Sequence, residues 1–359
     1  MDKKISIYYW SPFISSIATI RAVINSAYSL VKFGNQYETS IINFFCEYND
    51  FEKEINKKNI NLIYYFKSNI SKFLPSYGKI KSRFSFLIIF ILGFFPLKRL
   101  ISERKPEYLI IQLISSLPLI LLIFFNFKTK FILRISGFPR LGFFRKFIWR
   151  IAFKKIYAVT CPTKNTFNYI KNLNIIDKSK LKILYDPIIS VKEINLKKKE
   201  KSCNSKDFFL SVGRLTKQKN FIFLCRAFKE VLKEFKDLKL LIAGDGEEKL
   251  VLQNYININK LENNIKLIGH KKNIFPYFSN AKGFILSSLW EDPGFVLVEA
   301  GFCRVPVFSS NAWPGPMELI RDNYNGINFE NNNITSFKER FKIFIEEKNK
   351  KKLMVLLLK

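Results

Sequence analysis

Short apolar runs alternate with longer amphipathic stretches along most of this 359-residue chain. The apolar runs predict buried strands, and the stretches of helical periodicity predict helices between them. This alternation is typical of α/β folds with parallel sheets. The predicted strands are KKISIYY, YETSIINFF, EYLIIQLI, KFILRIS, KIYAVTCPT and LKILYDP in the first part and DFFLSVGRL, KLKLLIAGDG, NIKLIGH, AKGFILSSL and VPVFSSN in the second.

One charged segment interrupts this alternation. Residues 191–206, VKEINLKKKEKSCNSK, are polar and lack apolar periodicity, which is typical of a linker. We therefore predict a first domain over 1–190 and a second over 207–330. The tail, 331–359, is predicted to be a loop and a basic helix, and its last residues, 353–359, give no clear assignment.

Two apolar runs call for comparison with a membrane span of roughly 20 residues. FSFLIIFILGFFPL, 84–97, has 14 residues and is too short. YLIIQLISSLPLILLIFFNF, 108–127, has 20 residues but contains polar positions. A buried strand followed by a helix with Pro118 near its first turn explains it better than a span. The N-terminus lacks the continuous apolar segment of a signal peptide, so we expect a cytoplasmic protein.

The net charge of +31 is unevenly distributed. Residues 1–200 contain 34 Lys and Arg against 12 Asp and Glu, and residues 201–359 contain 26 against 17. This excess indicates an anionic membrane surface or nucleic acid as partner, or a Lys-rich composition without function. No zinc-finger or RNP-like motif supports nucleic acid, which we therefore do not expect as a partner. Five widely spaced cysteines without a CxxC pair predict reduced thiols: Cys46, Cys161, Cys203, Cys225 and Cys303.

Two loops after predicted strands contain candidate phosphate-binding groups. In SVGRLTKQKN, 211–220, a strand ends at Gly213 and is followed by Arg214 and Lys219. Two cations at the carboxyl end of a strand can hold a diphosphate, although solvated loop charges explain them equally well. In LIAGDGEE, 241–248, Gly244 permits a tight turn, but the segment lacks a GxGxxG fingerprint.

A third segment, GFILSSLWEDPGFVLVEAGFCRVPVFSS at 283–310, contains two glutamates eight residues apart. A helix that begins near Pro293 directs the backbone amides of Gly294, Phe295 and Val296 at an anion. Glu299, in the second turn, can accept two hydrogen bonds from a vicinal diol, as on a ribose. Glu291 can do the same for a second sugar. Alternatively, one glutamate is a capping or exposed residue and the other a surface residue.

The order of these motifs resembles the donor half of family 4 glycosyltransferases. The resemblance is dense over 207–330 and includes GRL with a lysine five residues after the arginine, AGDG, LIGH, two glutamates separated by seven residues, VPV, GPMELI and NGINFE. It implies the GT-B fold, in which two Rossmann-like domains with parallel sheets face a central cleft. It also implies transfer of a sugar from a nucleotide diphosphate, with retention and without a required metal.

The resemblance assigns roles by position. Arg214 and Lys219 would neutralise the diphosphate, Glu299 would bind the ribose, and Glu291 would contact the donor sugar. Arg214, Lys219 and Glu291 are the implied catalytic groups. The implied nucleotide-sugar site comprises Gly213, Arg214, Lys219, Gly244, His270, Pro293, Gly294, Phe295, Val296 and Glu299.

The first domain departs from the family pattern. WSPFISSIAT, 10–19, has no glycine where many relatives have a glycine-rich loop, and the single histidine, His270, lies in the donor half. We expect His270 to border the base rather than to act as acid or base. RISGFPR, 134–140, is the predicted acceptor or diphosphate contact, through Arg134 and Gly137.

These features predict a hexosyltransferase of cell-surface polysaccharide or glycolipid synthesis at the inner face of the cytoplasmic membrane. Its expected partners are a nucleotide sugar, a saccharide or lipid-linked acceptor, and a membrane surface contacted by the basic first half. The nucleotide sugar is a co-substrate, and no cofactor is expected. The alternative is a non-catalytic relative that binds nucleotide sugars as a scaffold.

Overall fold

A computed structural model describes residues 4–13, 19–66, 79–139, 141–200 and 207–349. The chain divides into two compact units, Met1–Ile188 and Ile189–Lys359. Each unit is built on its own parallel sheet with helical crossovers. The prediction of an α/β protein with two Rossmann-like domains is therefore confirmed.

The first unit contains a sheet of seven strands. They are β1 (Ile5–Trp10), β2 (Tyr37–Asn43), β3 (Asn61–Tyr64), β4 (Tyr108–Ile111), β5 (Lys130–Arg134), β6 (Ala158–Cys161) and β7 (Leu181–Ile183). Their order is β3-β2-β1-β4-β5-β6-β7, and every neighbouring pair is parallel. Six were predicted, whereas β3 was missed because its four residues follow a polar stretch of lysines and asparagines.

Helices cover both faces of this sheet. They are α1 (Thr19–Phe33), α2 (Glu52–Lys57), α3 (Lys79–Arg104), α4 (Ser116–Phe124), α5 (Phe143–Lys155) and α6 (Lys164–Asn172). Residues of α1 and α2 pack in one hydrophobic cluster, and residues of α3 to α6 pack in another. The two groups therefore lie on opposite faces, as right-handed crossovers require when the strand order reverses.

The second apolar run folds as predicted, as strand β4 and helix α4 with Pro118 in its first turn. The first run belongs to α3, which has 26 residues. Residues Phe84–Arg104 are long and apolar enough to cross a membrane by length and composition. Ile89, Leu97 and Ile101 are nevertheless buried in the core of the first unit, so one side of α3 is committed to packing there.

The second unit contains a parallel sheet of six strands and a small two-stranded sheet. The strands are β8 (Phe208–Val212), β9 (Leu240–Ala243), β10 (Ile265–Gly269), β11 (Ala281–Leu286), β12 (Trp290–Glu291), β13 (Val307–Ser310), β14 (Trp313–Pro314) and β15 (Ile327–Phe329). The helices are α7 (Val191–Lys197), α8 (Phe221–Leu232), α9 (Lys249–Ile258), α10 (Phe275–Asn280), α11 (Phe295–Phe302), α12 (Gly315–Leu319) and α13 (Ile334–Asn349).

The segment predicted as a linker is partly helical. Helix α7 occupies its first seven residues. Ile194 is buried in the core of the second unit, which stabilises a helix that the charged sequence did not indicate. Residues 201–206, with Cys203, lie outside the described residues, whereas the other four cysteines are buried.

Helix α13 completes the core of the second unit. Its residues Phe337, Phe341 and Phe344 are fully buried and surround Phe308 of β13 with ring centroids 5.0–5.3 Å away. Aromatic pairs at these separations contribute beyond the area that they bury. The tail predicted as a separate helix is therefore part of the second unit up to residue 349.

We predict that Phe341→Ala lowers the free energy of unfolding of the second unit by about 3–5 kcal/mol, because it leaves a cavity among these rings. Urea titration followed by circular dichroism measures this. Ile343→Ala, on the exposed side of the same helix, is the matched control and should change stability by about 0.5 kcal/mol or less. Equal effects of the two changes would contradict the assigned packing.

Candidate active site

The carboxyl ends of the six-stranded sheet of the second unit lie at one edge. The strand order is β10-β9-β8-β11-β13-β15, and all neighbours are parallel. Successive strands run outward from β8 to β10 on one side and from β11 to β15 on the other, so the direction reverses between β8 and β11. Ligands of open α/β sheets bind at such a switch point.

Lys219 and Glu291 meet at this switch point. Lys219 lies in the loop after β8, and Glu291 follows β11; the lysine ammonium donates to Oε1 of the glutamate in a mostly buried ion pair. The Ser288 hydroxyl donates to the same oxygen over 2.6 Å. No described residue donates to the other carboxylate oxygen, Oε2, which stays able to accept a hydrogen bond.

The backbone on both sides of the pair is fixed by hydrogen bonds. The Ser287 hydroxyl donates to the carbonyl oxygen of Lys219 over 2.9 Å, and the Leu289 amide donates to the Gln218 carbonyl over 2.8 Å. The loops after β8 and β11 are therefore joined to each other directly. This holds the two charges in a defined position.

The loop after β9 lies close against the loop after β8. The Gly213 amide donates to the Ala243 carbonyl, and the Leu215 amide donates to the Asp245 carbonyl. A Cβ on Gly244 would lie 1.8 Å from the Gly213 carbonyl oxygen, so only glycine fits there. The Gly-Asp-Gly turn thus positions the backbone that carries Arg214.

The turn before α11 is equally constrained. Gly294 has φ +87° and precedes the first helical residue, Phe295. A Cβ on Gly315 would lie 2.1 Å from the Pro293 carbonyl oxygen. The β12 and β14 pairing brings these two segments together. Pro293, Gly294 and Val296 are buried at the start of α11, where the sequence predicted a helix N-terminus.

Glu299 lies in the second turn of α11 and is partly buried. Burial raises the pKa of its carboxyl to about 7, although the nearby Lys219 and Lys197 ammonium groups lower it. The structure therefore brings Glu299 close to the Lys219–Glu291 pair. Lys197 belongs to α7, which sequence reasoning treated as linker and therefore missed.

The remaining predicted donor-site residues lie at the same edge of the sheet. The Arg214 side chain is exposed and makes no hydrogen bond or ion pair with a described residue, whereas its carbonyl accepts from the Thr216 amide over 2.8 Å. His270 is exposed directly after β10, and the preceding Gly269 carbonyl accepts a hydrogen bond from the Gly244 amide. The structure thus gathers the predicted residues around one strand edge, while their roles stay predictions.

The predicted acceptor residues of the first unit have different surroundings. Arg134 is buried and donates to Asp186 Oδ1 over 2.6 Å and to the Ser26 hydroxyl over 3.0 Å. Burial raises the pKa of Asp186, and the Arg134 guanidinium opposes that rise. These contacts hold the segment after β7 against α1. Gly137 has φ +88° and open space around it.

Sequence reasoning missed a row of polar groups at the carboxyl edge of the seven-stranded sheet. Ser11 follows β1, Glu47 follows β2, Gln112 follows β4 and Ser136 follows β5; each has a buried polar atom that makes no hydrogen bond with any described residue. Burial raises the pKa of Glu47 to about 7. These strands are neighbours at the second switch point, between β1 and β4. Single polar residues after strands give no signal in one sequence.

Within the described ranges, no three His, Cys, Asp or Glu side chains lie close enough together to hold a metal ion. Residues 14–18, which contain most of the loop after β1 that lacks glycine, lie outside the described residues.

Comparison with known proteins identifies relatives of both units. The sequence model of the family described as glycosyl transferases group 1 matches residues 192–355. The chain is 30% identical over 324 residues to MJ1059 of Methanocaldococcus jannaschii, an uncharacterized glycosyltransferase, with 84% of this chain and 76% of that protein aligned.

A second relative carries a specific description. It is N-acetylgalactosamine-N,N'-diacetylbacillosaminyl-diphospho-undecaprenol 4-alpha-N-acetylgalactosaminyltransferase of Campylobacter jejuni, 29% identical over 232 residues, or 62% of each chain. Among solved structures, HepE of Anabaena in complex with UDP superposes with a TM-score of 0.68 at 15% identity, over 98% of this chain and 92% of that chain. This last likeness shows the fold.

We predict that pH affects stability through Glu299. Its pKa is near 4.5 when unfolded and about 7 when folded, so its contribution is present below pH 4.5 and is lost as pH rises through 7. As pH rises from 4.5 to 7, the free energy of unfolding of Glu299→Gln should therefore increase by about 3 kcal/mol relative to that of the wild type.

Urea titrations at several pH values, followed by tryptophan fluorescence, measure this difference. Leu250→Ala, which changes an exposed residue of α9 and removes no titratable group, is the control, and its effect on stability should not vary with pH. A difference between Glu299→Gln and wild type that stays constant with pH would contradict the raised pKa.

Proposed function

Since this chain belongs to the group 1 glycosyltransferases of GT-B fold, we propose that it transfers a hexose-type sugar from a uridine diphosphate sugar to a lipid-linked saccharide, with retention. The observation that carries the donor part is the convergence of Lys219, Glu291 and Glu299 at the switch point of the second sheet. The same edge presents Arg214 and the start of α11.

In the proposed donor site, cations and helix amides bind the diphosphate. The Arg214 guanidinium is exposed and has no partner among the described residues, so its fork of donors is available to phosphate oxygens. Lys219 supplies a second positive charge, held by Glu291. The amides at the start of α11 add hydrogen bonds, since the first amides of a helix have no intrahelical acceptor.

These groups account for catalysis without a metal. As the bond from the sugar to the diphosphate breaks, negative charge grows on the leaving phosphate. Fixed cations and amides stabilise that charge more in the transition state than in the ground state. The acceptor hydroxyl forms the new glycosidic bond on the face from which the diphosphate departs, and its proton passes to the departing phosphate oxygen.

The two glutamates bind hydroxyl groups. Oε2 of Glu291 is available to a hydroxyl of the transferred sugar, while Oε1 stays engaged with Lys219 and Ser288. The Glu299 carboxylate suits the ribose diol, because no described residue donates a hydrogen bond to it. Neither role requires the pair to break.

The acceptor assignment is supported by the relatives. The described Campylobacter enzyme acts on a saccharide joined by diphosphate to undecaprenol. We infer a similar class of acceptor here, which requires work at the cytoplasmic face of a membrane. The excess of Lys and Arg in residues 1–200 suits peripheral contact with anionic lipid.

In the first unit, we assign acceptor contacts to the unpartnered row after β1, β2 and β4. The two polar side-chain atoms of Gln112 are buried without a hydrogen-bond partner among the described residues, as are the Ser11 hydroxyl and one carboxyl oxygen of Glu47. Such groups cost about 1–3 kcal/mol each when unsatisfied. A saccharide hydroxyl both donates and accepts, so it satisfies them.

A donor screen tests the proposed reaction. Uridine, guanosine and adenosine diphosphate sugars are compared by thermal shift, since binding to the folded state alone raises the melting temperature. We expect the uridine series to stabilise, and Glu299→Gln to weaken that effect. Transfer to a lipid-linked saccharide should persist in EDTA and slow about a hundredfold in Glu291→Gln.

Two outcomes would contradict the proposal. Loss of transfer in EDTA, restored by a divalent cation, would overturn metal independence. Donor binding without transfer and without slow donor hydrolysis would favour a scaffold that binds nucleotide sugars.

We predict that Gln112→Met is at least as stable as the wild type, because it removes an unsatisfied buried amide while keeping the volume. If the amide contacts the acceptor, the KM for the acceptor should rise about tenfold while donor affinity stays constant. Steady-state kinetics and a melting curve measure both. An unchanged acceptor KM would show that Gln112 has no such role.

A further inference from the structure

The outer side of α3 is apolar and exposed. Phe84, Leu87, Ile91 and Phe95 follow one another at helical spacing and are 60%, 53%, 62% and 73% exposed. They form a stripe about 17 Å long, which continues into Lys98 and the exposed Arg99. Soluble proteins seldom expose an apolar stripe of this length without a partner.

Helix α5 presents a second apolar group with cations beside it. Phe143, Phe144 and Phe147 are 81%, 81% and 56% exposed in its first two turns. The helix contains five Lys and Arg and no Asp or Glu. Arg145 and Lys146 stand between the phenylalanines in sequence, and Arg150 and Lys154 continue the outer side.

Topology places both groups toward the same edge of the first unit. Helices α3, α4 and α5 pack in order on one face of the sheet, and α4 is largely buried between its neighbours. A crossover helix runs antiparallel to the strands that it connects, so both helices begin near the carboxyl edge. The phenylalanines of α5 and the first residues of the α3 stripe, Phe84 and Leu87, lie in the first part of their helices, on the side where the polar row of the first unit also lies.

We propose that the outer stripe of α3 and the phenylalanines of α5 form an interfacial surface that docks on an anionic lipid bilayer. Aromatic rings enter the boundary between headgroups and acyl chains, and neighbouring Lys and Arg bind the anionic headgroups. A protein partner would need acidic groups placed between apolar ones to match these residues. A bilayer offers anionic headgroups and apolar acyl chains at every point of its surface, so it needs no such match. The inner side of α3 stays in the core, so the helix lies on the membrane.

This inference deepens the proposed function, because a lipid-linked acceptor is presented at such a surface. Binding to vesicles is measured without donor or acceptor, so the surface and the glycosyl transfer can fail separately. The docking also predicts that the carboxyl edge of the first sheet faces the headgroup region.

Co-sedimentation with vesicles tests the proposal. Wild-type protein is mixed with vesicles of phosphatidylglycerol and phosphatidylethanolamine, or with phosphatidylcholine alone. We expect stronger binding to the anionic vesicles, part of which persists at high salt because apolar insertion is not screened. The triple variant Phe143→Ser, Phe144→Ser and Phe147→Ser should lose about tenfold or more in partitioning.

The matched control is Leu250→Ser, Val251→Ser and Ile258→Ser, which changes three exposed apolar residues of α9. It should bind vesicles like the wild type, and both triple variants should keep the wild-type thermal shift with a uridine diphosphate sugar. Equal binding of the wild type and the α5 variant would overturn the surface. Protein that stays in cell membranes after alkaline carbonate extraction would instead identify α3 as a membrane span. A dimer of the wild type that dissociates in the α5 variant would identify the surface as a contact between two copies of this chain.

Discussion

The ion pair between Lys219 and Glu291 joins the two halves of the six-stranded sheet at the point where its strand order reverses. Taking two charges out of water costs several kcal/mol per ion unless hydrogen bonds and mutual attraction offset it. Here the Ser288 hydroxyl supports the carboxylate, and the backbone of Lys219 is held by Ser287. The rest of the site follows from this constraint, because the positions of the β8 and β11 loops decide where Arg214 and α11 lie.

The first unit has a parallel sheet with a switch point of the same kind, but different side chains lie there. Its buried charge, Arg134, is matched by Asp186 and Ser26, which makes it part of the framework. Its switch point instead carries Gln112, Ser11 and Glu47, whose buried polar atoms include some that no described residue hydrogen-bonds. Such groups suit an uncharged ligand rich in hydroxyls. In the second unit, by contrast, the switch point carries a cation, Lys219, that Glu291 holds in place, which is the kind of group that a diphosphate requires.

Sequence reasoning recovered what depends on local pattern. Eleven predicted strands are present, and the motif residues Gly213, Gly244, Pro293 and Glu299 lie at one sheet edge. It missed what depends on tertiary contact. Helix α7 forms in a segment of lysines because Ile194 finds a core. The phenylalanines of α13 belong to the second unit because Phe308 lies beneath them. The polar row after β1, β2 and β4 becomes a group only when the sheet aligns it.

The carboxylates of Glu291 and Glu299, in a chain of net charge +31, lie in different surroundings. Glu291 has an ammonium and a hydroxyl within hydrogen-bond reach of its Oε1. Glu299 has cations nearby, but no described residue donates a hydrogen bond to its carboxylate, and burial raises its pKa to about 7. A ribose diol donates two hydrogen bonds, which a carboxylate accepts better than a carboxylic acid does. If Glu299 binds the ribose as proposed, nucleotide binding would favour loss of its proton and would couple nucleotide affinity to pH near neutrality.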